Sequence, residues 1–69
     1  MVDFSPLFKT LEEKEMRLSE LRKVISPATQ ASIKENHRQS NLKMYVGTIE
    51  KICLFLDVPV EKVIKIVKE

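Results

Sequence analysis

The chain has 69 residues, 43% apolar and 32% charged, with 12 Lys and Arg against 10 Asp and Glu for a formal net charge of +2. That describes a single globular domain, residues 1–69, near the lower size limit for independent folding, where only about 60% of the unfolded surface is buried. It excludes an intramolecular disulfide, because Cys53 stands alone, and an ordinary structural zinc site, because His37 is the single histidine.

In chain order, Phe4, Leu7, Phe8 and Leu11 carry the apolar spacing of one helix face, and Ser5-Pro6 reads as the N-cap and first position of that helix. Leu18 to Val24 predicts a second, shorter helix with Leu18, Leu21 and Val24 or Ile25 inward. Ser26-Pro27 repeats the start signal and opens a third helix that runs to about Asn36, a residue suited to end it in the left-handed conformation. His37 to Val46 reads as a polar connection whose Leu42, Met44 and Tyr45 anchor it to the core.

Gly47, the only glycine, marks a turn before a fourth helix built on Ile49, Ile52, Cys53 and Leu56. Asp57 and Pro59 interrupt the chain, and Val60, Val63, Ile64 and Val67 then repeat the helical spacing. The Val and Ile content of that last stretch also suits a strand, but the spacing and the Lys and Glu between favour a fifth helix. The expected core is Phe4, Phe8, Leu11, Leu21, Ile33, Ile52, Cys53, Leu56, Val63 and Ile64.

Several runs resemble a known family. Pro6-Leu7-Phe8-Lys9-Thr10-Leu11, Ser19-Glu20-Leu21-Arg22-Lys23, Ile25-Ser26-Pro27-Ala28-Thr29 and Thr48-Ile49-Glu50-Lys51-Ile52-Cys53 are similar to small lambda-repressor-like (Cro/XRE-type) helix-turn-helix regulators, in the compact form found in Gram-positive bacteria and their prophages. The resemblance implies an all-α, compact five-helix bundle whose third helix enters the DNA major groove, usually as a dimer. Two features depart from the family pattern. The turn Lys23-Val24-Ile25-Ser26 is shorter and lacks a glycine, and Gln30 stands where an aliphatic residue is usual.

The charge agrees in place with that expectation. Residues 26–43 hold Lys34, Arg38 and Lys43 against Glu35, and the flanking segments are balanced, so this stretch supplies the whole net charge. Gln30, Lys34, His37 and Arg38 follow i, i+4, i+7 and i+8, the spacing of one face of the third helix. There Gln30 suits an adenine edge, and Lys34 and Arg38 suit guanine or phosphate. Arg22 and Lys23 suit phosphates beside the groove, and equally suit the C-terminus of their own helix. Thr29, Asn41 and Lys43 complete the candidate DNA-binding set.

The expected function is a small, non-enzymatic transcriptional regulator, repressor-like, that reads double-stranded DNA with its third helix. The alternative is a protein-interaction module of the same fold, a co-regulator or antirepressor. It would use Pro27, Ala28, Ala31, Ser32 and Glu35, or the apolar Leu54, Phe55 and Ile66, to bind another regulator. The length leaves room for a homodimer or a protein partner. No glycine-rich phosphate loop or acid–base carboxylate pair is present, so no enzyme, cofactor or metal site is expected. Apolar runs fall far short of the roughly 20 residues that span a bilayer. A cytoplasmic setting is expected.

Overall fold

Val2 and Asp3 form a strand at the centre of a small sheet, which the expected all-α bundle does not contain. The computed structural model describes residues 1–68. Its elements are β1 (Val2–Asp3), α1 (Ser5–Glu13), a 3-10 helix η1 (Leu18–Lys23), α2 (Pro27–Glu35), β2 (Arg38–Gln39), α3 (Val46–Leu56), a second 3-10 helix η2 (Val60–Lys62) and β3 (Lys65–Ile66). The three strands are antiparallel in the order β2-β1-β3, with Val2 opposite both Gln39 and Ile66, and Asp3 opposite Arg38 and Lys65. Phe4 N–H donates to the His37 carbonyl at 2.7 Å and Val67 N–H to the Met1 carbonyl at 2.8 Å, extending both ladders by one bond.

The five-helix, all-α expectation is therefore overturned: it fails at β1, at β2 in the connection after α2, and in the C-terminal segment, where the expected fifth helix is replaced by η2 and β3. η2 turns Val63 into the core, where it is fully buried; the chain then extends, leaving Ile64 half-buried and Ile66 exposed. Residues 60–67 have helical spacing, but the open edge of β1 supplies hydrogen bonds that a solvated fifth helix would have made alone.

Local chemistry explains the helix ends. Asp3, rather than Ser5, closes the start of α1: its Oδ1 accepts from Ser5 N–H at 2.8 Å and Ser5 Oγ at 2.6 Å, while Ser5 is already helical. The end of α1 passes through Glu15 at φ 54°, with Met16 N–H donating to the Leu11 carbonyl and Glu15 N–H to that of Glu12. α3 ends alike. Asp57 at φ 56° lets Val58 N–H reach the Cys53 carbonyl and Asp57 N–H that of Leu54.

Ser26 is the N-cap of α2 as expected, its Oγ accepting from Thr29 N–H at 3.2 Å, with Pro27 first in the helix. Asn36 does not end α2 in the left-handed region; its backbone is extended (φ −145°), which feeds directly into β2. Gly47 is likewise no turn residue, but lies in the first turn of α3 behind the N-cap Tyr45.

The core is Phe4, Leu7, Leu11, Leu21, Ile25, Ile33, Ile49, Ile52, Leu56 and Val63. Phe8, Cys53 and Ile64, expected inside, are half-buried and pack around it. Leu7 and Ile49 take the central places that the helical pattern also allowed. Thr10 Oγ1 donates to the Lys62 carbonyl at 2.6 Å, satisfying a buried hydroxyl and fixing η2 on α1.

Candidate nucleic-acid interface

α2 packs on η1, and the turn through Val24 and Ile25 is held by N–H bonds from both residues to the Leu21 carbonyl. Ile33 is fully buried and Thr29 and Gln30 are half-buried, so the opposite side of α2 meets solvent: Ala28, Ala31, Ser32 and Glu35 are exposed. Apart from Glu35 at the C-terminal end, this face is small and uncharged. A neighbouring surface can approach the backbone of α2 closely along its first two turns.

A cleft runs along each flank of that face. One, of about 440 Å³, lies between Ala28, Thr29 and Ser32 and the loop that carries Gln39, Asn41 and Lys43. The other, of about 320 Å³, lies between Gln30, Ala31 and Lys34 and the segment carrying Phe8, Arg17 and Leu18. Arg22 and Lys23 end η1 just before α2 begins, and both are exposed. Among the described residues the ion pairs involve only Asp3, with Arg38 and Lys65, so Arg17, Arg22, Lys23, Lys34 and Lys43 carry charges that no side-chain acid neutralises by contact.

Gln30, Lys34, His37 and Arg38, expected on one helical stripe, are not brought together. α2 stops at Glu35, so His37 and Arg38 leave the helix. His37 stacks on Phe8 with ring centroids 4.1 Å apart and planes 19° from parallel. Arg38 turns its Nε to Asp3 Oδ2 at 3.2 Å, on the sheet. Gln30 points back, its Nε2 donating to the Ile25 carbonyl at 3.4 Å. Thr29 Oγ1 lies 3.0 Å from Ser26 Oγ, within the cap. Arg22, Lys23, Lys34, Asn41 and Lys43 remain exposed; Lys34 lines one flanking cleft and Asn41 and Lys43 the other, while Arg22 and Lys23 sit at the end of η1 that precedes α2 in the chain.

One positioning residue had no sequence signal. Gln39 Nε2 donates to the carbonyls of Ser32 at 3.2 Å and Asn36 at 3.0 Å, capping the C-terminal end of α2 from β2. It fixes the loop that follows relative to α2. Of the three residues expected to anchor that loop, Leu42 and Met44 are half-buried against the core, whereas Tyr45 is 86% exposed.

Among the described residues two groups have shifted acidities. Asp3 is held below the usual carboxyl range chiefly by the Ser5 hydroxyl and backbone N–H, against the opposing effect of burial, with Arg38 and Lys65 assisting. Burial pushes the Cys53 thiol up, and the Glu61 charge adds to this. Among the described residues no group of three or more His, Cys, Asp or Glu is arranged to hold a metal ion, and no helix is long and apolar enough to cross a membrane. Comparison of the chain with protein-family models, with curated proteins and with solved structures finds no match.

Proposed function

We propose that this domain is a transcriptional regulator that binds duplex DNA by laying the first two turns of α2 in the major groove. The observation that carries this reading is a small, neutral helix face flanked by uncompensated cations, Lys34 and Arg17 along one cleft and Lys43 along the other, with Arg22 and Lys23 exposed on η1, which leads into the helix. Ala28 and Ala31 suit thymine methyl groups and Ser32 can bond either kind of base edge, while the surrounding cations and Asn41 set the register on phosphate. Glu35 falls where the helix leaves the groove, consistent with docking through the N-terminal end.

The test is fluorescence anisotropy of the full chain against a mixed-sequence duplex over a range of salt. Lys34→Ala and Lys43→Ala should each make the salt dependence shallower by about 0.9 in the log–log slope, the release expected for one phosphate contact. Ala31→Glu, exposed and centred on the face, should remove binding while leaving thermal unfolding unchanged. Failure of the wild-type protein to bind duplex at low salt would sink the reading, as would full binding by Ala31→Glu.

A further inference from the structure

On α3, Val46, Glu50 and Leu54 fall in one row four residues apart, with Cys53 beside it. Val46 is 84% exposed and Leu54 74%. The chain returning after α3 sets Val58 and Val60 opposite, leaving a groove of about 320 Å³ whose floor reaches the core residue Ile49. Glu50 is the one charged side chain along this groove among the described residues, and it makes no ion pair with them. The surface is thus apolar with negative charge at its middle, and an uncovered apolar patch of this kind marks an interaction site.

A second copy of the chain is a poor occupant. A two-fold axis through the middle of the row would set Glu50 against its own counterpart, and like charges opposed across an interface are costly. A segment with apolar residues on either side of a base fills the same groove and brings opposite charge to Glu50. We propose that the groove between α3 and Val58–Val60 docks a basic amphipathic helix of another protein, apolar side chains against Val46, Cys53 and Val60 and a Lys or Arg against Glu50. This does not depend on DNA binding, since it uses none of the residues on the exposed face of α2.

Cys53 reports occupancy directly, because it lines the groove. The full chain is mixed with a synthetic peptide of Leu and Lys in helical spacing, and separately with its Leu and Glu counterpart of identical apolar face. The Leu/Lys peptide should slow alkylation of Cys53, shift the amide resonances of Val46 and Val60, and bind about tenfold more tightly than the Leu/Glu peptide. The protein's net charge of +2 favours the opposite order for non-specific attraction. Glu50→Gln should abolish most of the preference and Glu50→Lys reverse it, with helical circular dichroism unchanged in both. Equal binding of the two peptides, resonance shifts confined to other surfaces, or protection of Cys53 by raised protein concentration alone would each overturn the proposal.

Discussion

Arg38 Nε donates to Asp3 Oδ2 at 3.2 Å, joining an arginine side chain that is 62% exposed to a carboxylate with no exposed surface. Lys65 Nζ approaches the same oxygen at 3.9 Å from the other edge strand. One buried carboxylate on the central strand therefore holds a cation from each edge and also closes the start of α1. Buried charge of this kind is tolerated because every contact favours its ionised form.

Asp3→Asn should lower stability at neutral pH, since the amide keeps the shape but loses the charge held by Ser5, Arg38 and Lys65. Asp3 has a folded-state pKa below its ordinary value of 3.8, so its contribution is present above that value and is lost as pH falls through the folded pKa. The urea midpoints of wild type and variant should differ at neutral pH and converge in strong acid. A difference that stays constant across that range would show that charge is not what Asp3 contributes.

Arg38→Ala should lower the urea midpoint in the same direction, and its effect should largely disappear in the Asp3→Asn background. Its duplex affinity, measured where the variant is fully folded, should keep the wild-type salt slope. A slope shallower by about one contact would instead place the guanidinium on phosphate.

Ile52 is fully buried in the centre of α3, and Ile52→Ala should cost about 2–5 kcal/mol through lost burial and the cavity left behind. In a domain this small that is enough to populate the unfolded state at room temperature. Denaturant titration followed by circular dichroism measures it directly.

Asp57 is an exposed residue held at φ 56°. Asp57→Gly should raise stability by up to about 1 kcal/mol by relieving the left-handed strain, partly offset by the freedom glycine gains in the unfolded chain. Asp57→Ala should lower it. The two variants moving the urea midpoint the same way would remove backbone strain as the cause.

The helices were legible wherever local signals decide them. Ser26-Pro27 marks the start of α2, and the spacing of Leu7, Leu11, Ile49, Ile52 and Leu56 marks the buried faces of α1 and α3. The sheet was not, because each strand is two residues long and leaves no alternating pattern to read. Its existence depends on pairs such as Val2 with Gln39, far apart in the chain. The same distance hid the true partner of Arg38: beside Lys34 in the sequence it reads as a base for DNA, and only the register with Asp3 assigns it to the sheet. His37 is a parallel case, drawn to Phe8 by a fold that brings β2 beside α1. The cations that stay outward at the candidate interface belong to helix ends and a loop, where position follows from local structure.

The central place of β1 also sets an order on folding. Val2 and Asp3 are synthesised before every element they pair with, and their second ladder waits for Lys65 and Ile66. Until then one side of β1 keeps its backbone groups open and Asp3 lacks one of its two cations. Contacts that join such distant parts of a chain form late because the loop between them must first be closed. A nascent chain that has not yet released Lys65 and Ile66 lacks the second ladder, and with it the three-stranded sheet.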